Sequence, residues 1–395
     1  MTMAGVAWRL ARSAVVAARR ARDVLGDRRY CRSVGALGRA TPGPVTARFL
    51  GRVSVRDEME GFLGQAHWAE DVPGSLPSWL RDARDFLAPQ AEADVALLDT
   101  LQLPLPPPRG AWAWRPQVRA VLALAPTLDE QLSRICSKGV RHGLEHAGRE
   151  TWTVAVRRAE ADLDTFYDRL FLPLIAARHG AHAHVIDREA LRSRWRRTGT
   201  LLFLEDSGRP LAGLLAYTSR AEPGTLFYWR NGMTAEAAED PGLRARLFAA
   251  LERAIIAQAL AHGFTHLDLG LAPALFDDPL FRHKRLLGCS FARAPEAPRL
   301  FVAPRPGSTR AVVGALPLLL EEGATGFAAH VAVDADGTPA SLRPVRTAVR
   351  DACFPGLAHL TLHAPAALAA SAPFRTALDE LEREVGTPLR LAAPE

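Results

Sequence analysis

The segment from Asp240 to Leu269 constrains the fold more than any other part of the chain. Asp240 is a good N-cap, Pro241 suits the first helical position, and Leu243, Leu247, Leu251 and Ile255 recur every four residues. Gly263 follows His262 as a left-handed stop. A strand over Thr265–Leu269 begins at once, its alternation setting Leu267 and Leu269 on one face and His266 and Asp268 on the other. A long helix with one apolar stripe, feeding directly into a strand, needs a sheet to lie on, so the chain is of the α/β (α+β) class. Asp268 then stands near the strand's carboxyl end, where open α/β sheets place ligands.

The same alternation extends upstream. Val118–Leu124 reads as a strand, and Thr127 with Glu130 forms a capping box that starts a helix burying Leu128, Leu132, Cys136, Val140 and Leu144. Trp152–Val156 is the next strand, followed by a helix through Phe166, Leu170 and Leu174 that ends before His179-Gly180. Leu201–Leu204 and Leu211–Tyr217 flank Asp206-Ser207-Gly208 as a hairpin, and Thr225–Trp229 adds a third adjacent strand. Proline clusters at 73–77, 103–108 and 295–306 punctuate the chain. Boundaries are expected near 90 and 300. This gives a basic helical region and linker (1–89), a central domain (90–300, divisible at 197/198) and a small C-terminal α/β extension (301–395). The extension reads as helix 341–352, strand 358–363, helix 373–385 stopped by Gly386, and a last strand near Leu389.

Composition excludes several classes. The chain has 395 residues, 48% of them hydrophobic, and its longest apolar run, Val312–Leu320, is interrupted by Gly and Pro. That is far short of the roughly 20 residues a membrane span needs. Cys31, Cys136, Cys289 and Cys353 show no zinc or disulfide spacing, and His179, His182 and His184 lack a completing carboxylate, so no metal is expected. Among 49 basic residues only Lys138 and Lys284 are lysine, and Asn231 is the only asparagine. The first 52 residues hold 11 Arg against Asp23 and Asp27. A helix over 1–25 there would suit phosphates, RNA or anionic lipid, with a solvated helix as the alternative. Asp334-x-Asp336-Gly337-Thr338 resembles the opening motif of haloacid-dehalogenase-type phosphatases, but no lysine follows Lys284, and a strand with a tight turn is the better account.

Two constellations could carry chemistry. Arg134, Lys138, Arg141 and Glu145 fall at spacings of four, three and four, so three cations share one helix face. This is a phosphate or carboxylate clamp, or an exposed face with an Arg141–Glu145 pair. Gly139 and Gly143 cost such a helix roughly 1 kcal/mol each unless something approaches its backbone. The second is Asp268-Leu269-Gly270, then Phe281-Arg282-His283-Lys284 and Leu287-Gly288, which could position an amine and stabilise developing negative charge. Asn231 follows Tyr228-Trp229-Arg230; it could hydrogen-bond a substrate, although Asn-Gly reads more readily as a turn.

Ser137-Lys138-x-x-Arg141, the hairpin, the Pro241 helix, Asp268-Leu269-Gly270 and His283-Lys284-x-x-x-Gly288, in this order over Val118–Phe291, resemble the FemAB-like branch of the GNAT acyltransferase superfamily. The resemblance implies a GNAT-like mixed sheet flanked by helices and splayed around an acyl-donor cleft. It also implies transfer of an acyl or aminoacyl group, from a thioester or aminoacyl-tRNA, to a small-molecule or envelope-precursor amine. Lys284 would stabilise the oxyanion or hold a donor phosphate, and Asp268 would orient or deprotonate the amine. Lys138, Arg141 and Ser137, with Tyr228, Arg230, Asn231 and His283, would bind substrate. His283 stands where the branch often has Phe. The Gly-rich pyrophosphate loop is missing, since Asn231–Pro241 is acidic and Ala-rich, which counts against acyl-CoA, so the donor is either acyl-CoA bound without that loop or aminoacyl-tRNA. A cytoplasmic location is expected, with peripheral contact at the inner membrane face through residues 1–30, and no DNA partner. The alternative is a non-catalytic binding protein on a degenerate acyltransferase scaffold.

Overall fold

The computed structural model describes residues 29–37, 45–63, 67–88, 92–103, 105–135, 137–179, 185–323, 326–333 and 339–392. The basic segment 1–25, Cys136, His182, His184 and Asp334–Thr338 lie outside them. The chain forms two compact units: Arg119–Ala272 with Arg282–Ala292, and the remainder, which takes in the described residues up to Val118, Pro273–Phe281 and those from Arg293 on.

This division departs from the boundaries expected near 90 and 300. Residues expected to be a helical region and linker hold three strands, Tyr30–Leu37, Val45–Arg52 and His67–Gly74, besides the helices Val53–Leu63 and Leu76–Phe86. These strands share one ten-stranded sheet with the strands of the C-terminal stretch. The cause is strand pairing. Leu300–Pro304 runs antiparallel to Val95–Asp99 on one side and to Trp112–Trp114 on the other, so a late strand completes the hydrogen bonding of two early ones. The stretch after 301 is therefore a continuation of this sheet and not a separate extension. Its own elements are Pro339–Ala352, Leu357–His363, Ala372–Val385 and Leu389–Leu391, with Gly386 left-handed at φ 65°. Within the same sheet the fully buried Asp99 accepts from Arg52 Nε at 2.7 Å and Nη2 at 3.1 Å.

The other sheet positions the candidate site. Its strands in chain order are β1 (Gln117–Ala123), β2 (Thr153–Arg157), β3 (Gly199–Asp206), β4 (Arg209–Thr218), β5 (Thr225–Met233), β6 (His266–Pro273) and β7 (Ser290–Arg293). They lie in the order β7-β1-β6-β5-β4-β3-β2. The β3–β4 hairpin turns at Ser207 and Gly208, both left-handed, as a tight hairpin requires. β2 pairs with β3 from Thr153↔Glu205 to Arg157↔Leu201, so the division at 197/198 does not separate two bodies.

The expected single helix after Thr127 is two, α1 (Leu128–Ser133) and α2 (Lys138–Ala147). Ser137 breaks it by capping α2, its hydroxyl accepting from Val140 N at 3.3 Å, and the row of cations starting at Arg134 is cut. The helix through Phe166 and Leu174 is α3 (Glu160–Phe166), a π-helical turn (Tyr167–Phe171) and α4 (Leu172–His179). With α5 (Arg188–Thr198) these bury Phe166, Leu170 and Leu191 against Phe203 and Leu215 of the sheet. After α6 (Ala235–Glu239), α7 (Pro241–Ala261) buries Leu247, Leu251 and Ile255, each contributing about 1.5–3 kcal/mol, and starts where Asp240 Oδ1 accepts from Gly242 N at 2.8 Å and Leu243 N at 3.0 Å.

Asn231-Gly232, read as a turn, lies inside β5. A Cβ on Gly232 would stand 2.5 Å from Leu170 C and Phe171 N, backbone that cannot swing aside. Glycine is there for the strand's approach to the π-helical turn. Gly232→Ala is expected to lower the free energy of unfolding by about 1–3 kcal/mol in urea denaturation, and an unchanged midpoint would contradict this close packing.

Candidate active site

β5 and β6 run parallel through three pairs, the last Phe227↔Asp268. Beyond it both strands become irregular. Pairing of β5 with β4 shifts from Tyr228↔Ala216 to Arg230↔Leu215, making Trp229 the extra residue of a bulge. On β6, Gly270 adopts φ +77°, and a Cβ there would lie 3.5 Å from Tyr228 O. Lys284, in α8 (Pro279–Leu286), is 6% exposed, and its Nζ donates to Leu269 O at 2.8 Å, Gly270 O at 3.2 Å and Leu271 O at 2.8 Å. Consecutive carbonyls of a regular strand point to opposite sides. The left-handed Gly270 turns three of them onto one ammonium. An ammonium has three N–H donors, and these three bonds use them on main chain. This differs from the expected oxyanion or phosphate contact: Lys284 holds the strand end in shape.

Asp268 is 2% exposed. Its Oδ1 accepts from Gly270 N at 2.7 Å and its Oδ2 from Arg119 Nε, while Arg119 Nη1 reaches Glu222 Oε1 at 3.1 Å. Burial pushes the Asp268 carboxyl upward and Arg119 opposes it; the two carboxylates raise Arg119 further above its ordinary value, against its own burial. Both carboxylate oxygens are thus engaged, one in shaping the Gly270 turn. Neither Arg119 nor Glu222 is among the site residues expected from the sequence. A charged residue between Val118 and Ala120, in a strand whose alternate positions are buried, was the available signal for Arg119.

Tyr228, Asn231 and His283 gather near Glu252. The Tyr228 hydroxyl oxygen accepts from Asn231 Nδ2 at 2.8 Å, and burial pushes the phenol upward so that it keeps its proton. His283 Nε2 lies 2.7 Å from Glu252 Oε1, a contact that raises the imidazole above its ordinary value. Cys289 is a buried thiol pushed up to about 12, and so no nucleophile at neutral pH. Arg230 donates through Nη1 to Trp229 O at 2.8 Å. The clamp residues lie elsewhere. Ser137 is a cap, Lys138 is exposed in the first turn of α2, and Arg141 lines a cavity of about 610 Å³ with Arg149, Arg253, Asp129 and Glu145.

The start of α7 fits a coenzyme A pyrophosphate poorly. The first-turn amides that would receive it are bonded to the Asp240 carboxylate, itself an anion. Among the described residues no group of three or more His, Cys, Asp or Glu could hold a metal ion, and no helix is long and apolar enough to cross a membrane.

A mixed sheet whose central parallel pair parts at a bulge, with a long helix between the two strands, is the architecture expected of a GNAT-type acyltransferase. Residues 135–285 match the family described as acetyltransferase (GNAT) domain. The chain thus carries a GNAT acyltransferase domain. No curated protein matches it. Among solved structures it is similar to FemX (12% identity, 61% of this chain and 79% of that one, TM-score 0.36). It is similar also to L-PGS from Bacillus licheniformis (13%, 73% and 88%, 0.35) and to a tandem GNAT protein from the clavulanic acid biosynthesis pathway (12%, 69% and 79%, 0.29). Likenesses this distant transfer no substrate and no residue role.

Lys284→Met removes the donor shared by the three carbonyls, so unfolding free energy should fall by about 2–5 kcal/mol in urea. Lys284→Arg, a planar fork, should restore little of it; a Met variant as stable as the parent would show that the carbonyls need no donor. The His283–Glu252 pair has a pH signature. Because the folded imidazole sits above its unfolded value, its stabilisation is complete below about pH 6.5 and is lost as pH rises through the folded value. The Tm gap between the parent and His283→Gln should therefore be widest below that pH and narrow above it, and a gap independent of pH would refute the pairing.

Proposed function

We propose that the chain is an N-acyltransferase of the FemAB-like branch, moving an acyl or aminoacyl group from a thioester or aminoacyl-tRNA to a small-molecule or envelope-precursor amine. The observation that carries this reading is the parting of β5 from β6 at the Trp229 bulge, inside the matched GNAT segment. Strands that part leave main-chain N–H groups on the facing edge free of sheet partners, and fixed donors of this kind stabilise the oxyanion of acyl transfer. The amine nitrogen attacks the acyl carbon, the C–N bond forming as the carbonyl electrons move to oxygen. Collapse then breaks the C–S or C–O bond as the departing atom takes the Tyr228 proton, and the amine's surplus proton returns through water to the Tyr228 oxygen.

Tyr228 donates a proton to the departing sulfur or oxygen: its hydroxyl oxygen is held by Asn231, and its own O–H remains to give. Asp268 and Lys284 act through the strand end they hold. Arg141, with Lys138 and Ser137 on the same helix start, serves acceptor or donor phosphates at the cavity it lines. Two features favour aminoacyl-tRNA over acyl-CoA: the Asp240 carboxylate at the helix start, and the arginine excess over the first 52 residues. The same excess suits peripheral contact with the inner membrane face.

The test offers the full chain aminoacyl-tRNA or acyl-CoA with a panel of amines and reads amide product by mass spectrometry. Product from aminoacyl-tRNA is expected, and Tyr228→Phe should lower kcat about 10²–10⁴-fold. Failure of both donors would leave a binding protein on an acyltransferase scaffold. Deleting residues 1–28, short of the strand that starts at Tyr30, should weaken tRNA binding and flatten its salt dependence; an unaltered salt slope would remove the N-terminus from donor binding.

A further inference from the structure

The bulge has a second effect. In a regular strand Trp229 and Arg230 would point to opposite faces, but the extra residue lets both side chains share one. Phe227 and Tyr217 stack at 4.8 Å between ring centroids, with their planes 10° apart, and Trp229 meets Tyr217 edge-on at 5.9 Å. Three guanidinium groups lie over this aromatic floor. Arg119 covers Phe227 and is neutralised by Asp268 and Glu222. Arg194 lies 5.0 Å from the Tyr217 centroid and 4.5 Å from that of Trp229, and Arg230 lies 5.4 Å from Trp229.

Arg194 and Arg230 differ from the arginines around them. On α5, Arg188, Arg192 and Arg196 are each tied to acids of residues 160–168. Arg194 turns off that row onto the aromatic floor. Neither Arg194 nor Arg230 has a carboxylate within ion-pair distance among the described residues. Both are half-buried, and burial together with Arg194 lowers Arg230 below its ordinary value. Two partly desolvated like charges over one indole cost free energy unless an anion lies between them.

We infer that Arg194, Arg230 and the Trp229 indole form a subsite for an anionic group, carboxylate or phosphate, carried by the amine that accepts the acyl group. The role as acceptor site rests on the acyltransferase reading above; the anion site itself does not. The forked guanidinium groups suit the two oxygens of such a group, and the indole supplies a flat floor beneath it. The acceptor is then an acidic amine, held on one side of the parting strands by its charge.

Calorimetric titration of the full chain tests this without turnover, so it separates from any failure to find a donor. The probes are phosphoethanolamine against ethanolamine, and glycine against glycinamide, pairs that differ in one anionic group. At least one member bearing the carboxylate or phosphate should bind roughly tenfold tighter than the partner that lacks it, the worth of one charge-assisted hydrogen bond, and the pair that does so tells phosphate from carboxylate. Arg194→Gln and Arg230→Gln should each abolish the preference, while Arg197→Gln, an exposed arginine on the same helix, should not. Circular dichroism shows that each variant is folded; should Arg230→Gln fail to fold, Arg194→Gln alone decides. Equal binding within both pairs, or a preference that survives Arg194→Gln, overturns the proposal. So does loss of tRNA binding in the two variants with no effect on the small amines, which would assign the arginines to the donor.

Discussion

The contact on which the candidate site depends is one ammonium holding three consecutive carbonyls. β6 can leave its partner only if the main-chain groups released by the parting find other partners, because a buried, unbonded carbonyl costs about as much as a lost hydrogen bond. Gly270 supplies the turn and Lys284 the donors, and the Gly270 N–H is held in turn by Asp268. Arg119 then joins Asp268 to Glu222. A glycine, a lysine, an aspartate and an arginine from two strands and a helix thus fix where β5 and β6 separate. The opening is part of the hydrogen-bonded frame, not a gap in it.

The chemistry of that contact explains why lysine persists in a chain that otherwise uses arginine. Three carbonyls converging on one point need a compact donor with its protons spread in three directions. A guanidinium presents five protons in a plane and cannot do the same. The rarity of lysine made Lys284 conspicuous in the sequence, and Asp268-Leu269-Gly270 was legible as the partner segment. What these residues do was not legible. A lysine near a strand end reads as a group for a substrate, and only the left-handed Gly270 reveals that its protons are spent on backbone. Lys138, equally rare, shares none of these contacts and sits exposed at a helix start.

The legible and illegible parts of the fold divide by the range of the forces involved. The Asp240 cap, the Gly263 and Gly386 stops and the Ser207-Gly208 hairpin turn are set within a few residues, and each is found where the sequence places it. The insertion of Leu300–Pro304 between Val95–Asp99 and Trp112–Trp114 depends on pairing across nearly 200 residues, and no local signal encodes it. Two differences from expectation are local, and both arise from residues with two uses. Ser137 sits well on a helical face yet caps a new helix, and Asn231-Gly232 has turn chemistry yet lies in a strand that needs a residue without a side chain against the π-helical turn.

The Trp229 bulge joins these levels. One added residue lets β5 send Tyr228 and Asn231 toward Glu252 of α7 and Trp229 and Arg230 toward Arg194 of α5. The two faces differ in electrostatic character. On one, a histidine and a glutamate neutralise each other beside a protonated phenol. On the other, two arginines over aromatic rings retain uncompensated positive charge. Acyl transfer to an amine needs both settings, since the leaving group must take a proton while the acceptor must arrive with its nitrogen unprotonated. On the reading proposed above, an acidic acceptor would bring its anion to the two arginines, which disfavour a second cation beside them. The bulge thus sets the phenol and the histidine–glutamate pair on one side of the strand and the two arginines on the other.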